Sequence, residues 1–496
     1  MPRELPAQPS LEYLKKEAKA SLRELRLTNR RARLADAQRA LANEYGFATW
    51  AALKAHVARA GQPVDPVAEV VAAVHANNPR RVAEILHREP QLRARINDPF
   101  PGASFGETPL LACLRFESRE LIDVLLEAGA DINQKSHWWA GGFGVLDNAA
   151  DPERPAWLAP FLIERGAIVD MHAATRLGKL DRMKELVSAD PAQVHVRGGD
   201  GQTPLHVAPN VEVAAYLLDH GADMEARDVD HESTPVQWMV RDRPAVARYL
   251  VSRGAQTDLL LAAALGDLAL VERHLDADPA TIRMAVNDTW FPKRDPRAGG
   301  HIYIWTLRHD QTPHTAAREF GHEEVLRVLM DRSPAELQLA MACELGDEAR
   351  VRSLLAAHPG LAQRLSVADG RRLADAAHND NLSAVRLMLE AGWPVDVRGS
   401  ERATPLHWAA FHGNAEMVRE LVKHHAPVDV RGDVHDGTPL HWAAFGSVHG
   451  WHPERGDYGR VVELLLEAGA SPPAIRSDFE PSEAVREVLK RYRVQQ

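Results

Sequence analysis

Thr404-Pro405-Leu406-His407-Trp408-Ala409-Ala410 decides how this chain is read, because the same string returns as Thr438-Pro439-Leu440-His441-Trp442-Ala443-Ala444, 34 residues on. Threonine is a favoured helix N-cap, with its hydroxyl facing free amides, and proline suits the first helical position, where no backbone donor is needed. The small residues behind them predict a short helix. Gly413 then permits a left-handed stop, and Val418, Leu421 and Val422 at i, i+3, i+4 spacing predict a second helix with one apolar face. Two short antiparallel helices and a turn make one unit.

Outward from this copy, Thr-Pro pairs open similar segments at Thr108, Thr203, Thr234 and Thr312. A second flavour lacks Thr-Pro but keeps Ala-x-x-x-Gly, a Leu-Leu or similar pair and a final Pro, as in Ala174 to Pro191, Ala262 to Pro279 and Ala342 to Pro359. Ala73 to Pro90 fits with Asn77 in place of Gly, and Asp375 to Gly392 fits with Asn379 and a Gly ending. The two flavours together give about twelve units between residues 68 and 471, close to a period of ~33 residues. The recurring Thr-Pro-Leu-His, Ala-Ala, Gly, Val-x-x-Leu-Leu and Gly-Ala-Asp pattern resembles that of ankyrin repeat proteins. It is clearest in Thr203 to Asp223, Thr404 to Asp429 and Thr438 to Ala470, and weaker in Thr108 to Asn133 and Thr234 to Thr257. The resemblance implies an all-α ankyrin-repeat solenoid, helix-turn-helix units joined by short hairpin loops, covering 68–471.

Before the array, Leu11, Leu14, Ala18, Leu22 and Leu25 share a helical face, Leu34 to Glu44 predicts a second helix and Thr49 caps a third carrying Trp50, Leu53 and Val57. Residues 1–60 are thus expected to form an N-terminal helical cap, and 61–67, with Gly61, Pro63 and Pro66, a linker. The stretch Leu34-Ala35-Asp36-Ala37-Gln38 through Tyr45-Gly46-Phe47 and Trp50 resembles the leader of uncharacterised bacterial ankyrin repeat proteins. Arginine outnumbers lysine 49 to 10, as GC-rich bacterial coding also gives. At the far end, 472–496 reads as a charged capping helix suited to an exposed stack edge.

Composition narrows the function classes. With 59 basic and 69 acidic side chains the net charge is −10, which argues against nucleic acid as the main partner. The most apolar run, Leu259 to Leu265, is far short of a bilayer span, and Met1 to Ser10 does not read as a secretory leader. Cys113 and Cys343 are the only cysteines. Each falls in a small-residue helical slot, so two packed thiols in a reducing cytoplasm are expected.

Three segments break the repeat rhythm, at 137–147, 284–309 and 445–458, and each is aromatic. The third holds Phe445, Trp451 and Tyr458. The first two contribute Trp138, Trp139, Phe143, Trp290, Phe291, Tyr303 and Trp305. Aromatic side chains enrich at binding surfaces; the opposing reading folds these rings onto their own loops. Ile302 to Leu307 has strand composition, and Pro296 to Gly300 could reverse the chain, predicting a protruding hairpin with Tyr303, Trp305 and Leu307 on one face. By the family's groove positions, Ser400, Glu401, Ala403, Phe411 and His412 in one unit and His435 with Phe445 in the next face a partner.

These readings give a protein-interaction module binding a protein along its concave groove, through Trp138, Trp139, Phe143, Trp290, Tyr303, Trp305, Phe411, His412, Phe445 and Trp451. The alternative is an enzyme or small-ligand receptor with a pocket made by the insertions. Ten-ångström helix spacing counts against all three insertions meeting, since four or five repeats separate consecutive ones by roughly 40 Å. Catalytic chemistry finds no foothold. Gly102-Ala103-Ser104-Phe105-Gly106 has the Gly-x-Ser-x-Gly spacing, but Pro99 and Pro101 before it and Thr108 after it make a loop rather than a strand-to-helix elbow. His206, His407 and His441 sit where the family uses histidine for hydrogen bonds within and between repeats. His449-x-x-His452 near Asp457 has zinc donor types without a framework to fix them. No cofactor and no metal is expected.

Overall fold

The computed structural model describes residues 11–28, 33–47, 49–50, 53–54, 57, 65–432, 436–472 and 481–494. The expected linker residues Gly61 and Pro63, and the groove residue His435, lie outside them. Among the described residues every regular element is a helix, and between Pro66 and Glu467 they form twelve pairs. The fold is an all-α ankyrin solenoid. The chain divides into two units, one drawn from residues 1–138 and 143–168, the other from 139–142 and 169–496.

In the first unit, helices Leu11–Thr28 and Leu34–Glu44 bury Leu14, Ala18, Leu41, Ala42 and Tyr45 with Leu53 and Val57. Three helix pairs follow, opening at Pro66, Pro109 and Val145. Asparagines stitch successive loops: Asn97 accepts from Asp131 N (2.8 Å) and donates to Gly129 O, and Asn133 repeats both bonds with Ile168 and Gly166.

The second unit holds nine pairs over one core that runs from Met171 to Leu489. Its Thr-Pro openings are capped in two ways: Thr312 Oγ1 accepts from Thr315 N at 3.2 Å, as the sequence predicts, and other copies recruit the histidine of the motif. At Thr404 the N–H donates to His407 Nδ1 (3.2 Å), and the hydroxyl lies 2.8 Å from the same nitrogen. Nδ1 therefore carries the lone pair, so the proton is on Nε2, which donates to Gly437 O of the next loop at 3.1 Å. Thr203, His206 and Ser233 O repeat this arrangement. These histidines are structural locks between repeats. Gly413 and Gly266 close their helices at φ 69° and 72°, the left-handed region that glycine adopts without Cβ conflict. Helix Glu483–Val494 buries Val485, Val488 and Leu489.

The middle insertion is not a strand hairpin. Tyr303–Thr306 is one helical turn. Helical spacing puts Ile302, Tyr303 and Leu307 in the core, and leaves Trp305 68% exposed. The Tyr303 hydroxyl donates to half-buried Asp258 Oδ2 at 2.9 Å, so a face shared by Tyr303, Trp305 and Leu307 does not exist. Tyr303, fully buried, is core and cannot touch a partner. The period-two reading failed because the strand-like composition of Ile302 to Leu307 reflects burial, not pleating.

Candidate functional site

The middle insertion is closed at its neck by two backbone bonds, Val286 N to Gln311 O (3.0 Å) and Asp310 N to Val286 O (2.9 Å). Its far end is buckled to the loop at 228–233. Glu232 accepts from Arg294 N and Asp295 N, Asp230 from Gly299 N, and His231 Nδ1 donates to Gly300 O at 2.8 Å. Arg297 then stacks on Trp139 of the first insertion, 4.3 Å from its ring centre. That segment is held in turn by Asp200 N donating to Gly141 O.

Beside the neck lies a cavity of about 900 Å³. Its arginines are almost all engaged with acids: Arg283 with Asp369, Arg308 with Glu319 (2.7 Å), Arg371 with Asp375 (3.2 Å) and Arg372 with Glu344 (3.1 Å). Asp310 is the exception. Its side chain is 6% exposed, and neither carboxylate oxygen makes a hydrogen bond within the protein. The nearest cationic or imidazole nitrogens are Arg371 Nη2 at 3.8 Å and His378 Nδ1 at 4.0 Å. Burial, then the charge of Asp310, pushes the Asp375 carboxyl up to about 7. Burial takes His378 down to about 4, although Asp310 pulls the other way.

Behind Asp310, His378 abuts a ridge of rings. Its imidazole meets Trp408 edge-on at 4.3 Å and Trp451 at 5.3 Å, and Trp451 stacks over Trp408 at 6.0 Å. Phe411 and His412 each lie 5.3 Å from Trp451. The Tyr458 hydroxyl donates to Phe411 O, and His412 Nε2 to His378 O. Trp408 and Phe411 are buried in this cluster, whereas Trp451 is 54% and Phe445 50% exposed.

The aromatic residues picked out in the sequence thus part company. Trp305, Phe445 and Trp451 are exposed; Trp138, Trp139, Phe143, Trp290 and His412 are half-buried; Phe411 and Tyr303 are buried. Trp138 and Phe143 pack on Phe105, at 4.8 and 5.9 Å, so the Gly-x-Ser-x-Gly loop serves as their seat. The insertions are also closer than repeat spacing suggested: Arg297 reaches Trp139, and His309 and Trp451 pack on the same imidazole, His378. Even so, of the three insertions only the middle one contributes lining residues to the cavity. The pocket jointly built by insertions, on which the enzyme alternative rested, gains no support.

His449, His452 and Asp457 are used separately: His449 packs on Phe445, His452 lies 3.7 Å from Glu454, and Asp457 caps a helix through Arg460 N. Among the described residues, Asp200, Asp230 and His231 bring donor atoms within 4.8 Å of one another. His231 and Asp230 are already engaged in the buckle. Asp310, Asp375 and His378 escaped sequence reading. The available signal was charge in a first helix, where Arg371, Arg372 and Asp375 stand in place of the usual small residues.

Comparison with known proteins agrees with this architecture. A three-copy ankyrin repeat pattern matches residues 171–261 and 373–475, and a single ankyrin repeat matches 105–137. The chain carries ankyrin repeats. It is similar to the palmitoyltransferase Hip14 of Drosophila melanogaster (34% identity over 126 residues, 25% of this chain and 18% of that protein). It is also similar to the probable E3 ubiquitin-protein ligase XBOS31 of Oryza sativa subsp. japonica (39% over 93 residues, 18% and 21%). A third is the ankyrin repeat and SAM domain-containing protein 6 of Mus musculus (28% over 156 residues, 30% and 17%). The chain spans about a fifth of the length of these curated relatives. They are eukaryotic, and give no support to the bacterial resemblance of the leader. Among the described residues no helix is long and apolar enough to cross a membrane.

Proposed function

We propose that this ankyrin-repeat chain is a protein-interaction module that holds a partner polypeptide where the Asp310 cavity and the Trp451 ridge meet at His378. The observation that carries this reading is the ridge itself. Trp451 is half-exposed, yet it is braced by His378, Trp408, Phe411 and His412, so the ring is presented at little entropic cost. Trp305, Phe445 and the half-buried Trp290 extend the contact surface, while buried Tyr303 and Phe411 support it from beneath. The charge of −10 favours protein over nucleic acid. The buried, unpaired Cys113 and Cys343 suit a reducing cytoplasm.

The test is affinity capture of partners from native cytosol by wild type, Trp451→Ala and Trp305→Ala, followed by affinity measurement on any partner that wild type retains. An anchoring tryptophan is worth about 2 kcal/mol or more, so the variants should hold that partner at least tenfold more weakly. Equal retention by all three proteins would defeat the reading.

A further inference from the structure

We infer that the cavity beside Asp310 seats a guanidinium group, the arginine side chain of a bound polypeptide. This deepens the reading of the chain as a protein-interaction module and rests on it. The starting point is the state of Asp310. A carboxylate with 6% of its side chain exposed and no hydrogen bond to either oxygen is costly in a folded protein, because burial removes water without supplying donors. The same residue holds a left-handed backbone at φ 56°. Two unfavourable features at one position, on the wall of a large cavity, mark a group kept for something that enters.

The chemistry of the visitor follows from what the cavity has left to offer. Its arginines are committed: Arg283, Arg308, Arg371 and Arg372 to the acids named above, Arg318 to Glu323 at 3.0 Å, and Arg398 to the carbonyls of Arg402 and Arg431. An anion would have to break these pairs and would face Asp310 and Asp375 together. The free valence is acceptor, so the ligand is a donor. A metal ion is disfavoured by the donor set, since His309 and His378 do not gather with Asp310 at ligating separations among the described residues. A guanidinium matches better, since its fork of N–H donors can meet both oxygens of a carboxylate. Trp290, half-buried on the same cavity, offers an aromatic wall to a guanidinium plane or its aliphatic stem. The polypeptide source is favoured by position. Asp310, on the cavity wall, and Trp451, on the ridge, both approach the one imidazole of His378, so the two features are neighbours.

The experiment is calorimetric titration of the full chain with a capped pentapeptide of alanines around one arginine. The same peptide with citrulline, which is isosteric and uncharged, is the control, and methylguanidinium is the small-solute arm. Asp310→Asn is the companion variant; asparagine tolerates the left-handed backbone, so a melting temperature equal to or above wild type shows that it is folded. The arginine peptide is expected to bind at least tenfold more tightly than the citrulline peptide and than methylguanidinium, and Asp310→Asn to abolish that preference. Equal heats from arginine and citrulline peptides would overturn the proposal, as would an unchanged preference in Asp310→Asn. Methylguanidinium binding as well as the peptide would overturn the polypeptide assignment. Zinc or inorganic phosphate displacing the peptide through Asp310 would replace the guanidinium by a metal or an anion. Partner capture lost in Trp451→Ala but intact in Asp310→Asn would sink the arginine seat and leave the interaction reading standing.

Discussion

Replacing His407 by glutamine should remove an acid sensitivity built into the repeat. In the native state Nδ1 accepts from Thr404 N–H, and Nε2–H donates to Gly437 O. Protonating Nδ1 would set N–H against N–H. Burial, with Arg398 adding to it, accordingly lowers the imidazole to about 4 from an ordinary 6.5. The sign follows from linkage. Between pH 6.5 and about 4 the unfolded chain binds a proton that the native chain refuses, so the stability from neutral His407 is intact above 6.5 and drains away as pH falls. At ~1.4 kcal/mol per unit, the loss is about 2 kcal/mol at pH 5 and about 3 kcal/mol near pH 4. Gln237 shows the substitute already at work in another repeat: its Oε1 accepts from Thr234 N at 3.0 Å, and its Nε2 reaches Asp258 in the next. His407→Gln should therefore cost about 1 kcal/mol or less at pH 7.5 and gain about 2 kcal/mol on wild type by pH 5. Because repeat arrays open in parts, the assay is hydrogen exchange of helices Pro405–His412 and Pro439–His449, corrected for intrinsic rates. The same pH slope in both proteins would refute the lock.

Asp375 should act in the opposite direction. With its carboxyl raised to about 7, the native state keeps a proton the unfolded chain has released, so stability falls as pH climbs from about 4 to about 7. Urea unfolding of Asp375→Asn at pH 5 and pH 8 should show that loss flattened, by at most ~1.4 kcal/mol per unit. Trp305→Ala should leave the melting temperature nearly unchanged, since the ring is 68% exposed; a drop of the kind buried aromatics give, about 3–5 kcal/mol, would put the ring in the core. Gly141→Ala should destabilise by more than about 2 kcal/mol, measured by thermal unfolding, because its Cβ would lie 2.2 Å from Gly198 O. Leu354 is half-buried in its helix, so cutting it to alanine should cost less than the about 2–5 kcal/mol of a fully buried leucine, measured by urea unfolding.

Repeat architecture was legible because it is local. Thr-Pro fixes a helix start, glycine its end, and i, i+3, i+4 spacing its buried face, so Thr404 to Val422 contains its own fold. The insertions were not legible for the converse reason. Nothing near Tyr303 in sequence announces Asp258, and nothing near Gly300 announces His231, yet these distant partners turn an apparent strand into a helical turn and a free loop into a buckled one. The candidate site suffered most. Trp451 was visible as an exposed aromatic, but Asp310, Asp375 and His378 come from separate segments, and only burial together makes their charge informative.

The buckle has a consequence for how this array can change length. Repeat proteins commonly gain or lose whole units, because each unit contacts only its neighbours. Here His231 reaches Gly300 across 69 residues, Arg241 reaches Glu319 across 78, and Arg283 reaches Asp369 across 86, each skipping at least one helix pair. Excising or duplicating any one unit between residues 228 and 378 would remove or put out of register at least one of these partnerships. That middle block is therefore expected to be inherited as one piece of fixed length, with insertions and deletions confined to the units on either side.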